Sequence, residues 1–233
     1  MIIPTYNENQ NIERLIDEVL SLSLDFDLLV IDDNSPDGTG KIVKDLAQKN
    51  NLINLISRPS KMGLGIAYMT GFRWALEKGY EFIVTMDADL SHKPKYLREI
   101  VELLDSNDLA IGSRYIPGGY IDGWPFVRKM ISKFGNAYAK TVTGLNIGDM
   151  TSGFMGIKKA LVSEIVNGNI NSEGYSFLIE VKGLAFKKGC KIKEFPIVFF
   201  DRIAGKSKIS RKIILEALFK CWKLRFSNLH ITK

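Results

Sequence analysis

The sequence predicts an α/β protein, a mostly parallel sheet flanked by helices. Two observations carry this. From Met1 to Tyr115, short apolar runs of strand length alternate with stretches patterned like helices, the signature of right-handed βαβ units. Each apolar run also stops on polar, chemically capable residues. In order, Met1–Ile3 is apolar and ends at Pro4, and Asn11–Leu22 repeats Ile12, Leu15, Ile16, Val19 and Leu20 at helical spacing. Leu28–Ile31 reads as a buried strand and Gly40–Asn50 as a helix through Ile42, Val43, Leu46 and Ala47. Ile53–Ile56, Phe82–Met86 and Leu109–Ile111 read as strands, with helices over Ala67–Lys78 and Pro94–Asp105 between them.

After Tyr115 the pattern changes. Pro117-Gly118-Gly119 and Asp122-Gly123-Trp124-Pro125 are loop punctuation. Phe126–Leu145 then predicts a helix with Val127, Met130, Ile131, Phe134, Ala137 and Tyr138 on one side. Strands follow over Phe154–Ile157 and Lys191–Phe200, with a helix at about Phe177–Lys188 between them. The last stretch is a basic amphipathic helix. It carries one stripe of Ile213, Ile214, Ala217, Leu218, Cys221 and Trp222, and another of Lys212, Glu216, Lys220 and Lys223.

Composition narrows the function classes. With 45% apolar and 25% charged residues over 233, the chain is a folded globular protein rather than a disordered one. Two cysteines, Cys190 and Cys221, cannot staple a fold of this size and point to a reducing compartment. No apolar run is long enough to span a bilayer and no secretory signal opens the chain, so the expected location is cytoplasmic. A formal net charge of +6 favours anionic partners. Nucleic acid is not expected among them, because no recognisable module interleaves aromatic and basic residues.

The strand ends are where the chemistry gathers: Pro4-Thr5-Tyr6-Asn7-Glu8, Asp32-Asp33-Asn34-Ser35, Ser57-Arg58, Asp87-Ala88-Asp89 and Ser113-Arg114-Tyr115. Ligands of open α/β sheets bind outside the carboxyl ends of the strands, so five such ends describe one crevice. Asp87 and Asp89 are hard oxygen donors suited to Mg²⁺ or Mn²⁺, which share their coordination with substrate phosphates. Other phosphate-binding schemes fail. Gly63-Leu64-Gly65-Ile66-Ala67 starts like a dinucleotide fingerprint, but Tyr68 replaces the third glycine, and there is no Walker A motif. His92 and His230 are the only histidines, which disfavours a histidine triad or a zinc centre.

The segments Ile3–Glu8, Ile31–Thr39, Gly63–Gly65 and Met86–His92 together resemble the inverting nucleotide-sugar glycosyltransferases of family 2, which have the GT-A fold. Gly112–Tyr115, Trp124–Ser132, Asp149–Phe154 and Pro196–Lys208 resemble, within that family, the dolichol-phosphate mannose synthases and related polyprenyl-phosphate sugar transferases. The resemblance implies a GT-A domain over residues 1–208; the amphipathic helix over 209–233 reads either as a core-packing helix or as a membrane-interfacial one, since both give the same pattern. It implies transfer of mannose from GDP-mannose to dolichyl or other polyprenyl phosphate, with UDP-glucose as the rival donor and a catalytically inactive partner subunit as the rival role. Pro4, Tyr6, Glu8 and Asp33 are then expected to line the nucleoside pocket, with Asp37 and Arg58 near the nucleotide. Asp87 and Asp89 are expected to hold the metal, with Ser91 beside it where some relatives have Gln. Arg114, Arg128, Ser132, Arg202 and Lys208 are expected around the acceptor phosphate and donor diphosphate. Relatives often continue into transmembrane helices, so the expectation here is peripheral attachment to the cytosolic face of a membrane. The short first strand also carries the expectation that the natural chain starts earlier.

Overall fold

The protein is described from a computed structural model that places residues 1–168, 170, 172, 174–202 and 211–229. Lys208 lies outside these described residues, as do the side chains of Lys212, Ile213 and Ile214. The first half alternates as expected: β1 (Ile2–Thr5), α1 (Ile12–Leu20), β2 (Leu28–Asp32), α2 (Thr39–Ala47), β3 (Ile53–Ser57), α3 (Leu64–Lys78), β4 (Phe82–Thr85), α4 (Leu97–Ser106) and β5 (Leu109–Ser113). A 3₁₀ turn over Pro94–Tyr96 leads into α4. The second half adds β6 (Tyr120–Ile121), α5 (Phe126–Thr143), β7 (Met155–Lys158), α6 (Lys159–Asn167), α7 (Gly174–Lys187), β8 (Ile192–Pro196), β9 (Val198–Phe199) and α8 (Arg211–Leu229).

Seven strands form one sheet in the order β3-β2-β1-β4-β7-β5-β8, and β6 pairs with β9 in a small ribbon. Pairing is parallel except at β7, which runs antiparallel to both β4 and β5. Side chains alternate across the strands and fill two cores. Ile2, Leu29, Ile31, Ile83, Leu109 and Ile111 point to the face covered by α3, α6 and α7. Ile3, Leu28, Val30, Val84 and Ala110 point to the face covered by α1, α2 and α4. The helices present matching stripes: Ile12, Leu15, Ile16 and Val19 in α1, and Leu97, Ile100 and Leu104 in α4.

Several expectations need correction. The strand expected over Lys191–Phe200 breaks after Pro196, which has no N–H to donate; the chain then leaves β5 and pairs with β6. Helix α6 lies in a stretch left unassigned by periodicity. The helix expected through Leu145 stops at Thr143, capped by Gly144 at φ 72°. Its apolar side also faces outward: Phe126, Val127, Ile131 and Phe134 are 76%, 67%, 63% and 66% exposed, while Asn136, Ala139 and Thr143 are buried. In α8 the expected apolar stripe splits. Cys221 packs into the core, whereas Trp222, Phe219 and Phe226 stand out in solvent. Lys220, placed on the polar stripe, reaches inward to Glu180 at 2.9 Å. Among the described residues no helix is long and apolar enough to cross a membrane.

Two close approaches fix the sheet against its helices. A Cβ at Gly156 would lie 2.4 Å from Ile100 Cγ2 and 2.9 Å from Leu104 Cδ1, so β7 can meet α4 only through glycine. Gly156→Ala is therefore expected to lower unfolding free energy by about 1–3 kcal/mol through overpacking. Urea unfolding checks this, and an unchanged midpoint would contradict the packing.

Candidate active site

The strand order reverses between β1 and β4, and a crevice opens at their carboxyl ends, the place where such sheets bind ligands. Backbone strain collects there: Asn7 after β1, Asn34 after β2 and Leu90 after β4 all adopt positive φ, between 55° and 61°. Such conformations cost roughly 1–3 kcal/mol each and persist where surrounding structure enforces them.

Asp87 and Asp89 leave β4 into this crevice. One Asp89 oxygen accepts from the backbone N–H of Ser91 at 3.2 Å and from the Ser91 hydroxyl. The other lies 3.5 Å from Arg202 Nη2. Ser91 is wholly buried, so it stands behind Asp89 and leaves the cation-facing oxygens to the two carboxylates. Asp87 is the more open of the pair, with 39% of its side chain accessible, and faces His92 Nδ1 at 3.9 Å. His92 is stacked on Phe154 and edge-on to Phe199. Burial there pushes its pKa well below the usual range, so the ring is neutral. Crowding by protein, then the Asp89 charge, raise the Asp87 carboxyl, with Arg114 and Arg202 opposing.

The residues fit a divalent ion. His92 Nδ1 is a buried polar atom without a hydrogen-bond partner, and it and the buried Tyr68 hydroxyl both face Asp87. Two carboxylates are drawn together there with like charge, which a cation would relieve. Among the described residues no cluster of three or more His, Cys, Asp and Glu side chains is assembled. An ion at Asp87 and Asp89 would thus complete its shell from diphosphate oxygens and water, as Mg²⁺ and Mn²⁺ do.

On one side of this pair lie the residues expected to meet the nucleotide. Pro4 is the one half-buried residue of β1, and the Tyr6 ring lies beneath Lys61 Nζ, 4.2 Å from its centroid. Glu8 is buried and accepts from Asn11 Nδ2 at 3.0 Å. Asp33 and Arg58 form a buried ion pair, and Arg58 Nη2 also donates to the Gly63 carbonyl at 3.0 Å. Arg58 Nη1 is buried without a partner, a donor free for a ligand's oxygen. Asp37 is different: its oxygens accept from Thr39 N–H and hydroxyl at 3.0 and 2.6 Å and from Asn9 N–H at 3.1 Å. Those bonds hold its carboxyl below the usual range despite partial burial and tie the β1 and β2 loops together.

On the other side the arginines divide. Arg114 is buried and gripped by Asp149 through Nε at 2.7 Å and Nη2 at 2.8 Å, with Thr151 Oγ1 also 2.8 Å from Nη2. It is expected among the phosphate contacts, but the structure commits its fork to Asp149. Arg128 is half-exposed, stacked 3.8 Å over Trp124 and bonded to Asp201 Oδ1 at 2.9 Å. Asp201 Oδ1 also accepts from the Arg202 backbone N–H at 3.0 Å, so one carboxylate ties the Arg128 guanidinium to the backbone that carries Arg202. Ser132 accepts from Tyr115 OH at 2.6 Å. Arg128 and Ser132 stand at the edge of a largely apolar cavity of about 220 Å³, which α5, α7 and α8 enclose with Ile131, Ala139, Ile179 and Leu218.

The sequence pattern gives no role to Asp149, Asp201, Trp124 or Tyr68. The first three sit inside the resembling segments, yet nothing in the spacing marks Asp149 and Asp201 as partners of Arg114 and Arg128, 35 and 73 positions away.

The family model for glycosyl transferase family 2 matches residues 1–166. The chain is 40% identical over 229 residues to a polyprenol monophosphomannose synthase of Mycolicibacterium smegmatis, covering 97% of this chain and 86% of the relative. It is 41% identical over 217 residues to an undecaprenyl-phosphate mannosyltransferase of Micrococcus luteus, covering 93% and 89%. Among solved structures, a Mycobacterium tuberculosis glucosyl-3-phosphoglycerate synthase in complex with Mn²⁺ and UDP superposes with a TM-score of 0.66 at 19% identity, over 94% of this chain and 78% of that one. That likeness is one of fold: the mostly parallel sheet is the GT-A arrangement.

The Arg114–Asp149 pair generates an acid-stability prediction. Burial alone would raise the Asp149 carboxyl, but Arg114 overrides it and holds it below its ordinary 3.8. A depressed carboxyl stabilises fully above the unfolded value and loses that contribution as pH falls through the folded one. Asp149→Asn is expected to cost about 3–5 kcal/mol at neutral pH by leaving Arg114 buried without its counter-charge. The variant's stability should also decline less steeply than wild type below pH 3.8. Urea midpoints measured from pH 6 downwards check both.

Proposed function

The chain belongs to glycosyl transferase family 2, and from that premise we propose that it transfers a mannosyl group from GDP-mannose to a polyprenyl phosphate with inversion. The observation that carries this is the juxtaposition around Asp89. A carboxylate pair suited to a diphosphate-bound cation abuts Arg202; through Asp201 the backbone at Arg202 is tied to the Arg128 guanidinium, which lines an apolar cavity. The relatives at 40% and 41% identity are polyprenyl-phosphate mannosyltransferases, which agrees with that arrangement.

In this reading Pro4, Tyr6, Glu8 and Asp33 line the nucleoside pocket, and Arg58 Nη1 supplies a donor to it. Asp87 and Asp89 hold Mg²⁺ or Mn²⁺, which when bound offsets charge on the leaving diphosphate. Arg202 lies between donor and acceptor, while Arg128 and Ser132 receive the acceptor phosphate. A phosphate monoester has a second pKa of about 6 and is already dianionic near neutrality. One of its oxygens can attack the anomeric carbon unaided as the bond to the diphosphate oxygen breaks on the opposite face. No proton has to be removed, so no carboxylate need act as base. The protein's task is to hold two mutually repelling anions in line, and permanently charged guanidinium groups suit it. Arg114 serves this arrangement through its fixed position beside Thr151, and Asp37 by tying the loops that carry the nucleoside pocket.

The acceptor's hydrocarbon tail must stay in a bilayer while its phosphate reaches Arg128. Phe126, Val127, Ile131 and Phe134 on α5 and Phe219, Trp222 and Phe226 on α8 form an exposed apolar surface next to the cavity. Lys129, Lys133, Lys223 and Arg225 lie on the same two helices. That combination suits shallow insertion into an anionic interface. We therefore read 1–208 as the transferase domain and 209–233, joined by the outer face of α5, as a peripheral contact with the cytosolic face of a membrane.

Two measurements test the proposal. Purified protein given labelled GDP-mannose, Mn²⁺ and a short polyprenyl phosphate should form a mannosyl lipid of inverted configuration. EDTA and Asp89→Asn should each cut turnover at least about a hundredfold, and Arg128→Ala should cripple transfer while GDP binding persists. Preference for UDP-glucose would overturn the donor. In the second, the protein should cosediment with anionic vesicles, less so in high salt. Replacing Phe126, Phe134 and Trp222 with Ser should abolish that binding; equal binding by the triple variant would assign those rings another role.

A further inference from the structure

One buried charge has no part in the chemistry above. Lys182, in the middle of α7, is wholly buried. Its ammonium donates to the carbonyls of Met150 at 3.1 Å and Ser152 at 2.8 Å. These flank Thr151, whose hydroxyl receives Arg114 Nη2 and, at 3.2 Å, Asn136 Nδ2. The start of the same turn is held by an anion: Glu194 on β8 accepts from the N–H groups of Gly148 at 2.7 Å and Asp149 at 2.9 Å. The turn joining α5 to β7 is thus fastened at its entry by a carboxylate and at its exit by an ammonium.

Placing an ammonium in a core is costly unless it is paired and hydrogen-bonded. Closing a turn does not by itself require a charge, since backbone and hydroxyl donors do so routinely. What the charge adds here is electrostatic balance: Asp149 and Glu194 face Lys182 with negative charge, and Arg114 with positive. Removing Lys182 would leave two carboxylates against one guanidinium and free both carbonyls flanking Thr151. Arg114 and Thr151 would then lose the surface that sets their position, while Asp87, Asp89 and the nucleoside pocket would keep all their contacts.

We propose that Lys182 is a positioning residue for the acceptor half of the site, fixing the 148–152 turn so that Arg114, Thr151 and Asn136 stand correctly beside Arg128 and Ser132. The inference rests on the acceptor reading above. Burial, with Arg114 adding to it, lowers the Lys182 pKa to about 7 against the opposing pull of Asp149 and Glu194; its place in the turn is carried by the two hydrogen bonds to Met150 and Ser152.

The test measures binding of farnesyl phosphate and, separately, of GDP with Mn²⁺, by calorimetry on full-length protein. Lys182→Met keeps the stem and removes the donors; it is expected to weaken farnesyl phosphate about tenfold or more while GDP affinity stays within about twofold, since small misplacements of binding groups have effects of this size. Lys182→Gln, which can donate to both carbonyls without a charge, is expected to weaken it by an intermediate factor of about three. It decides the matter should the Met variant fail to fold. A purely structural role would lower thermal stability and leave the acceptor-to-GDP affinity ratio at the wild-type value in either folded variant. That result, or an equal loss of GDP binding, overturns the inference alone. A wild-type protein that binds no farnesyl phosphate overturns the acceptor reading and this inference with it.

Discussion

Arg114 and Asp149 form an ion pair with almost no water around it, and the site is arranged about that pair. Arg114 is the first residue beyond β5, while Asp149 sits in the turn that reverses the chain into β7, the one antiparallel strand of the sheet. A guanidinium and a carboxylate in bidentate contact are rigid in distance and in angle. The pair therefore locks the end of a parallel strand to the start of the antiparallel one inserted beside it. Because β7 is wedged between β4 and β5, the same lock sets how far the β4 end, carrying Asp87 and Asp89, stands from the β5 end. Removing either partner would leave the other charged in a dry place, so the arrangement is resistant to gradual loosening.

Around this lock the crevice sorts its charges by role. The buried arginines are paired, Arg114 with Asp149 as scaffolding and Arg58 with Asp33 as scaffolding that keeps one donor, Nη1, for the pocket. Those expected to meet phosphate are more open: Arg128 is half-exposed and stacked on Trp124, and Arg202 beside Asp89 is partly exposed. A partly exposed guanidinium can turn toward an arriving anion at smaller cost than a bidentate buried one. Burial and partner geometry thus separate scaffold from binding group among residues that look alike in the sequence.

That distinction explains how far the sequence could be read. The alternation of strands and helices was legible through β5, because each buried strand is a short apolar run and each helix has a periodic stripe. The polar strand ends located the crevice, and Asp87, Asp89, Arg128 and Arg202 do gather there. Less legible were features decided by contacts distant along the chain. Nothing near Asp149 reveals that it will hold Arg114, and Asp201 gives no local sign of holding Arg128, 73 positions away. Which way α5 turns its apolar side was not legible either, for a physical reason: apolar periodicity marks a face, and a face turned to the outside carries the same pattern as one turned to the core. Asn136 and Thr143, the polar residues that α5 does bury, have their hydrogen bonds met by Ser132 and Ala139 carbonyls one turn earlier, so a polar inner face costs the fold little.

The inverted orientation of α5 also links the fold to the proposed chemistry. A reaction between a water-soluble donor and a lipid-borne phosphate needs a site that is polar where the diphosphate binds and apolar where the acceptor arrives, with no more than a side chain's length between them. One helix supplies that gradient here. Its outward residues are Phe126, Val127, Ile131 and Phe134; its other face carries Arg128, Ser132 and Asn136 in one row at i, i+4 and i+8, with Asn136 against Thr151 and so against the Arg114 lock. Crossing α5 moves from exposed rings to polar groups, and following the inner row leads from Arg128 to the fixed core of the site. A helix packed the conventional way, apolar side inward, would have placed Arg128 on the far side from the crevice.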